Sequence, residues 1–459
     1  MSLHPLTGPR SSLAGKGLKG LAIALLLPLL AACSSMMGSG PAAPPKVVVQ
    51  TPQISTQAPP AHREITRDPA NFYTPKGMEG RPLIRVALLL PYNSSNPDIR
   101  ELSASLYNAA QLALFEFNNP DILLMPKATG SAEAAKQAAV DAITQGADMI
   151  LGPLFADEVT AIAPIARASH VPVVAFSSDV TVAQAGVYLL SFPPDEEVKR
   201  IVDFAVLNGM TQFAALTPQN DYGNRVAANF RQAVADHGST ITDMVSYPLA
   251  VEGMNNPVMQ IAHYGSRHAA VVARRKALEA AGDAAGARAL EKVDTIGDLP
   301  YQAIFLPEGG TRLKALAPLL PYYDVDPRKI KFLGTGLWDD PTLARETSLD
   351  GGWFTAPSPE AHQQFVARYA RAYHATPPRI ASLAYDGVSL AVALASHPDD
   401  MRFTDEALTH PDGFAGVDGI FRFLPDGRIE RGLSIMEIHP GGAVVVDPAP
   451  TSFGLPAIN

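Results

Sequence analysis

Residues 149–178 read MILGPLFADEVTAIAPIARASHVPVVAFSS. Met149 to Leu151 is a short apolar run, stopped by Gly152-Pro153. A helix is predicted from about Ala156 to Ser169, and Val171 to Phe176 is a second apolar run. Neither run alternates polar with apolar residues, so each reads as a strand covered on both faces rather than one facing water. A strand, a helix of a dozen residues and another strand make a parallel crossover unit.

The same beat extends in both directions. Upstream, Arg85 to Leu90 is an apolar run ending at Pro91, and Leu102, Leu106, Ala109, Ala113 and Phe117 share one helical face. An Ala-rich helix from Ala132 to Gln145 ends at Gly146, which accepts the positive φ of a helix C-terminus. Downstream the beat restarts with a helix from Glu196 to Asn208 and a strand from Phe213 to Leu216. A turn from Pro218 to Gly223 and a helix from Asn224 to His237 follow. Ile241 to Pro248 contains a strand, and Ala303 to Leu306 and Lys331 to Gly334 are two more. Residues 255–299 break the pattern. Within them Arg274 to Val293 reads as a solvated helix or helical hairpin, and its Glu279, Asp283 and Glu291 argue against a nucleic-acid arm.

At 459 residues the chain has room for two to four units, and its 47% hydrophobic content supports large cores. A net charge of -9 weighs against nucleic acid, which requires clustered Lys and Arg. Arg10, Lys16 and Lys19 precede the apolar run Leu21 to Leu30, which is too short to span a bilayer and contains Pro28. Leu30-Ala-Ala-Cys33 follows, with the only cysteine in the chain. This resembles the lipobox of bacterial lipoproteins and implies a signal peptide over 1–32, lipidation of Cys33 and a membrane held through that lipid. Ser34, by resemblance to enterobacterial sorting, favours the outer membrane over the inner. Residues 33–80 are rich in proline, from Pro41 to Pro75, and are read as a flexible tether.

Three stretches together resemble the type I periplasmic binding proteins, the fold of leucine-binding receptors. They are Ile150 to Ser178; Asn220-Asp-Tyr-Gly223 with its helix and Gly238; and Phe365 to Tyr373 with Ala384-Tyr-Asp-Gly387 and Phe414 to Gly419. Within that superfamily, Gly152-Pro-Leu-Phe155 and Pro218-Gln-Asn-Asp221, followed by Gly223, Arg225, Val226, Ala227 and Phe230, are similar to the penicillin-binding protein activators. Known enterobacterial activators carry a helical-repeat domain before this module, and the tether leaves no room for one. The resemblance implies an α/β fold of two Rossmann-like lobes with parallel sheets and a hinge, over residues 81–451. Lobe 1 is expected over about 83–192 plus 330–395. Lobe 2 is expected over about 195–328 plus the C-terminal strands, with a helical insertion at about 255–299 and about three hinge crossings.

Ligands of such folds sit at the ends of the parallel strands, between the lobes. The cleft candidates are therefore Asn93, Ser94, Leu154, Phe155, Ser177, Ser178, Asp221, Tyr222, Glu308 and Trp338. In amino-acid receptors of the family, hydroxyls after the glycine-proline turn hold the ligand carboxylate. Leu154 and Phe155 stand there and have no side-chain donor. Ser177 and Ser178 either donate to a ligand or close their own turn. Asp221 and Tyr222 either meet an ammonium group or cap a helix. Glu308 is at a predicted strand end, and Trp338 is either packing or a stacking platform.

No nucleophile elbow, P-loop or zinc-protease motif is present, and His263 and His268 are spaced wrongly to share a metal on a helix. No enzyme, cofactor or metal is expected. The expected role is an outer-membrane-anchored lipoprotein on the periplasmic face that binds and activates a bifunctional penicillin-binding protein. The alternative is a lipid-anchored receptor for an amino-acid-like small ligand of an ABC transporter or sensor.

Overall fold

The computed structural model describes residues 65–453. The expected signal peptide, Cys33 and the tether up to residue 64 lie outside the described residues.

Five parallel strands build the first sheet: β1 (Ile84–Leu90), β2 (Ile122–Ala128), β3 (Met149–Leu151), β4 (Val173–Ala175) and β5 (Val187–Leu189), in the order β2-β1-β3-β4-β5. All seven residues of β1 are buried, because both faces are covered. Ile84, Val86, Leu88 and Leu90 face one side, toward α1 (Pro97–Phe117), while Ala87 and Leu89 face α2 (Ala132–Thr144) and α3 (Ala156–Ala168) on the other. Each such Leu or Val contributes about 1.5–3 kcal/mol by leaving water. Helix α1 starts where Asn96 accepts the Asp98 N–H, with Pro97 in its first turn, and ends at Asn118 in the left-handed region.

The second lobe continues with α4 (Pro194–Leu207), β6 (Gln212–Pro218), α5 (Asp221–Asp236) and β7 (Thr240–Tyr247). Helices α6 (Asn255–Ile261), α7 (Tyr264–Ala280) and α8 (Ala284–Ala289) then precede β8 (Ala303–Phe305). Val271 is the one buried residue of α7, so most of that helix faces water. After α9 (Gly310–Leu316) and α10 (Leu319–Tyr322) come β9 (Lys331–Gly334) and β10 (Trp353–Ala356). The chain then returns to the first lobe as α11 (Pro359–Tyr373), α12 (Ala381–Ala395) and α13 (Asp405–Leu408). A small antiparallel sheet follows: β11 (Phe414–Gly416), β12 (Gly419–Phe423) and β13 (Ile429–Arg431). The last strands, β14 (Ser434–His439) and β15 (Gly442–Asp447), complete a seven-stranded sheet in the order β15-β14-β10-β9-β8-β6-β7, parallel from β7 to β10 and antiparallel at β14 and β15. The chain thus passes between lobes three times: at Leu190–Pro193, at Pro357–Ser358 and at Gly432–Leu433.

Two expectations are corrected. Residues 331–356 do not belong to lobe 1. Strand β9 pairs parallel with β8, and β10 with β9, so they extend the second sheet, and only 359–395 packs on the first. Nor is the segment before residue 81 a free tether over its whole length. Arg67 donates to the Gly146 carbonyl (3.1 Å) and to Asp148 (3.0 Å). The Phe72 ring lies under the guanidiniums of Arg67 and Arg85, at 5.6 and 5.2 Å. Arg85 Nε donates to the Tyr73 carbonyl. Composition alone does not reveal these contacts, since their partners lie up to 81 residues away.

Candidate functional site

The C-terminal ends of the parallel strands of both sheets face one another across a cleft, and two arginines bridge it. Arg225, at the start of the second turn of α5, donates to the Ser178 carbonyl beyond β4 (3.3 Å). Arg379, just before α12, pairs with Asp339 beyond β9 (2.6 Å).

Lobe 1 contributes three loops. After β1, Asn93 is exposed and Ser94 half-buried. The Ser94 hydroxyl accepts from the Asn96 N–H, and its carbonyl accepts from Arg100. Tyr92 beside them is packed edge-on against Tyr107, and burial raises its pKa. After β3, Leu154 packs against the core and Phe155 is 36% exposed. Phe155 takes the N-cap position of α3 with no side-chain cap bond, so the first-turn N–H groups of that helix lack a capping side chain. Glu158, in that first turn, is bonded instead to Thr129 Oγ1 (2.9 Å) and the Gly130 N–H (2.8 Å). After β4, Ser177 is buried and its hydroxyl accepts from the Asp179 N–H (3.2 Å), while Ser178 is exposed.

Lobe 2 contributes the loops after β6, β8 and β9. Asn220 caps α5 by accepting from Gly223, which leaves Asp221 exposed, and the Tyr222 hydroxyl meets Thr335 Oγ1 at 3.1 Å. Two cleft candidates are instead interior. Glu308 is buried and accepts from Tyr247 Oη (2.9 Å), the Gly309 N–H (3.0 Å) and both arms of Arg312 (2.9 and 3.0 Å). A carboxylate with that many donors has no capacity left for a ligand ammonium. Trp338 is buried and donates from Nε1 to the Leu306 carbonyl (3.2 Å), so it is packing and not a platform.

Sequence reasoning missed the acidic start of α4. Burial, together with the neighbouring charges of Asp195 and Glu430, pushes Glu196 up to about 7. Burial pushes Glu197 up to about 7 against the bond it accepts from the Gly336 N–H (3.0 Å). The run Pro-Pro-Asp-Glu-Glu is visible in the sequence, but its place at the first crossover is not. These groups bind protons more tightly folded than unfolded, where the usual value is 4.5. Their contribution is therefore fully present below about pH 4.5 and is lost as pH rises through 7. Thermal unfolding is expected at a lower temperature at pH 8 than at pH 5.5. Replacing both residues (Glu196→Gln, Glu197→Gln) should flatten that slope, and an unchanged slope would assign it elsewhere.

Among the described residues no group of three or more His, Cys, Asp and Glu is placed to hold a metal ion, and no helix is long and apolar enough to cross a membrane. Residues 84–443 match the periplasmic binding protein family.

The chain belongs to the periplasmic binding protein family.

The fold is shared with many solved structures. One, described as a branched-chain amino acid ABC transporter from Rhodospirillum rubrum, is 17% identical with a TM-score of 0.63, and the match covers 79% of this chain and 100% of that one. A solute binding protein of an ABC transporter from R. palustris, in complex with benzoate, is 15% identical with a TM-score of 0.52, covering 82% and 99%. A leucine binding protein from Thermotoga maritima is 18% identical with a TM-score of 0.50, covering 80% and 99%. No curated protein matches the sequence. Membership places the chain in a substrate-binding type of family and implies a periplasmic location.

Proposed function

We propose that this periplasmic binding protein is a receptor that takes a small organic ligand between its lobes and closes on it by hinge motion, for an ABC transporter or a sensor. The observation that carries the reading is the opposition of a parallel and a mixed sheet, the C-termini of their parallel strands inward, joined by three crossovers. The neighbours named for branched-chain amino acids and benzoate support a ligand with a carboxylate. Here Leu154 and Phe155 supply no hydroxyl, so that carboxylate would be met by backbone N–H groups at the start of α3, with Phe155 against an apolar body. A lipid on Cys33 would hold the receptor at a membrane.

A bound ligand stabilises the chain by RT ln(1 + [L]/Kd), about 2.7 kcal/mol at a hundredfold excess over Kd. Thermal unfolding with leucine, isoleucine and benzoate, alongside native mass spectrometry of the protein as purified, tests this. At least one shift or one retained small molecule is expected, and neither would sink the receptor reading. A second reading, activation of a bifunctional penicillin-binding protein at the outer membrane, is favoured by the missing hydroxyls after Gly152-Pro153 and by the self-closed turn of Ser177. It predicts a faster synthase at saturating protein, and an unchanged rate would exclude it.

A further inference from the structure

The three crossovers meet at one buried charge cluster. Arg431 is the last residue before the third crossover. Its Nε donates to the Ser191 carbonyl in the first crossover (2.6 Å), and its guanidinium lies over the Phe192 ring at 4.3 Å. The same ring carries Arg379 at 4.9 Å, and Arg379 is the lobe 1 half of the ion pair with Asp339. His362, in the first turns of α11 after the second crossover, meets Asp418 at 2.8 Å. Asp386, inside α12, accepts the Val417 N–H at 2.8 Å.

The accounting in this cluster does not close. Both terminal nitrogens of Arg431 and the second carboxylate oxygens of Asp386 and Asp418 are buried without a hydrogen-bond partner. Two idle guanidinium nitrogens buried in one cluster with idle carboxylate oxygens are a costly arrangement, relieved by a shift that brings them together. Gly416 lets the carboxylate sit close against the backbone, since a Cβ there would stand 2.4 Å from Asp386 Oδ2.

We propose that Asp386 is a proton-operated positioning residue for lobe closure: as a neutral acid it leaves Arg431 seated on Ser191 and Phe192, and as a carboxylate it takes the idle N–H groups of Arg431 and fixes the third crossover to α12. The Asp386 O–H bond breaks with its electron pair kept by the carboxylate, the proton goes to solvent, and no bond between heavy atoms changes. The hinge is loose when Asp386 is protonated and stiff when it is ionised. The charged groups facing Asp386 are Asp418 from the turn after β11 and Arg431 from β13, with His362 and Arg379 one step further through Asp418. Burial and the Asp418 charge hold Asp386 above the ordinary carboxylate range. Burial also acts to raise Asp418, but the His362 bond and the arginine charges outweigh it and hold Asp418 below that range. One carboxyl of the pair is thus the proton carrier and the other a fixed charge.

The inference rests on the lobes closing as a receptor's do, but it is read without ligand, so a failed ligand screen and a failed hinge test are separate results. The measurement is hydrogen exchange of peptides spanning 190–194 and 431–434 in the full ligand-free chain from pH 5 to 8.5, corrected for the intrinsic pH dependence of exchange. Protection is expected to rise about tenfold across that range. Asp386→Asn should hold both peptides at the low level at every pH. Arg431→Lys keeps the charge but loses the forked donors, and should lower protection at pH 8.5 while leaving it unchanged at pH 5. It serves equally if Asp386→Asn does not fold. A flat wild-type profile, or the same rise in a variant that folds, would overturn the proposal.

Discussion

Gly152→Ala is expected to lose about 4 kcal/mol of stability, as backbone strain and a steric clash add. Gly152 has φ +83°, a region alanine avoids, and a Cβ built there would stand 2.2 Å from the Leu89 carbonyl oxygen of the neighbouring strand. That atom is backbone inside the fully buried β1, so it has nowhere to move. Gly209 separates the two effects. Its φ is +84°, but nothing lies within 4 Å of an added Cβ. Gly209→Ala should therefore show the strain alone, about 1–2 kcal/mol. Urea unfolding of both variants makes the comparison. Equal losses would mean that β1 gives way and the clash contributes nothing.

Trp338→Ala should cost about 3–5 kcal/mol, the usual range for emptying a large aromatic site. The indole sits in a slot that only glycines leave open: a Cβ on Gly334 would be 2.2 Å from the ring and one on Gly352 2.8 Å. Its N–H donates to the Leu306 carbonyl, which also accepts the Glu308 N–H (2.9 Å) and so keeps a partner, and Trp338→Phe should lose less, about 1–2 kcal/mol, mainly from the smaller ring. Chemical unfolding together with a ligand assay discriminates the roles. A stacking platform would lose ligand and keep its stability, the reverse of the expected outcome.

Much of the architecture is readable from the chain. The glycine-proline stop between two unbroken apolar runs calls for a parallel crossover, and repeating that beat calls for two such sheets. Strand β2 escapes this reading because it is an edge strand. Only Ile122 and Met125 of its seven residues are buried, and it carries Pro126 and Lys127, which an edge tolerates and an interior strand does not. The assignment of 330–356 fails for another reason: a strand's own residues do not say which sheet it joins, and only pairing with β8 decides it. The same limit hides the hinge cluster. The Ala384-Tyr-Asp-Gly387 and Phe414 to Gly419 segments stand out in the sequence, yet that Asp386 and Asp418 converge on Arg431 follows from topology. In the cleft, the lack of hydroxyls at Leu154 and Phe155 is legible directly. The pairing of Glu308 with Arg312, one helical turn away, was open to the sequence through their four-residue spacing.

The docked segment at the base of lobe 1 sets where mechanical load enters the molecule. Tension applied at residue 65 is taken up by Arg67 on Asp148 and by Phe72 beneath Arg85, then passed into the N-terminal end of β1. That strand is seven residues long, so the load enters about 23 Å from the cleft rim. None of the three crossovers lies on this path. A pull at residue 65 therefore grips one lobe as a post and leaves the other free to swing, so in the receptor proposed above closure on a ligand would not work against that force.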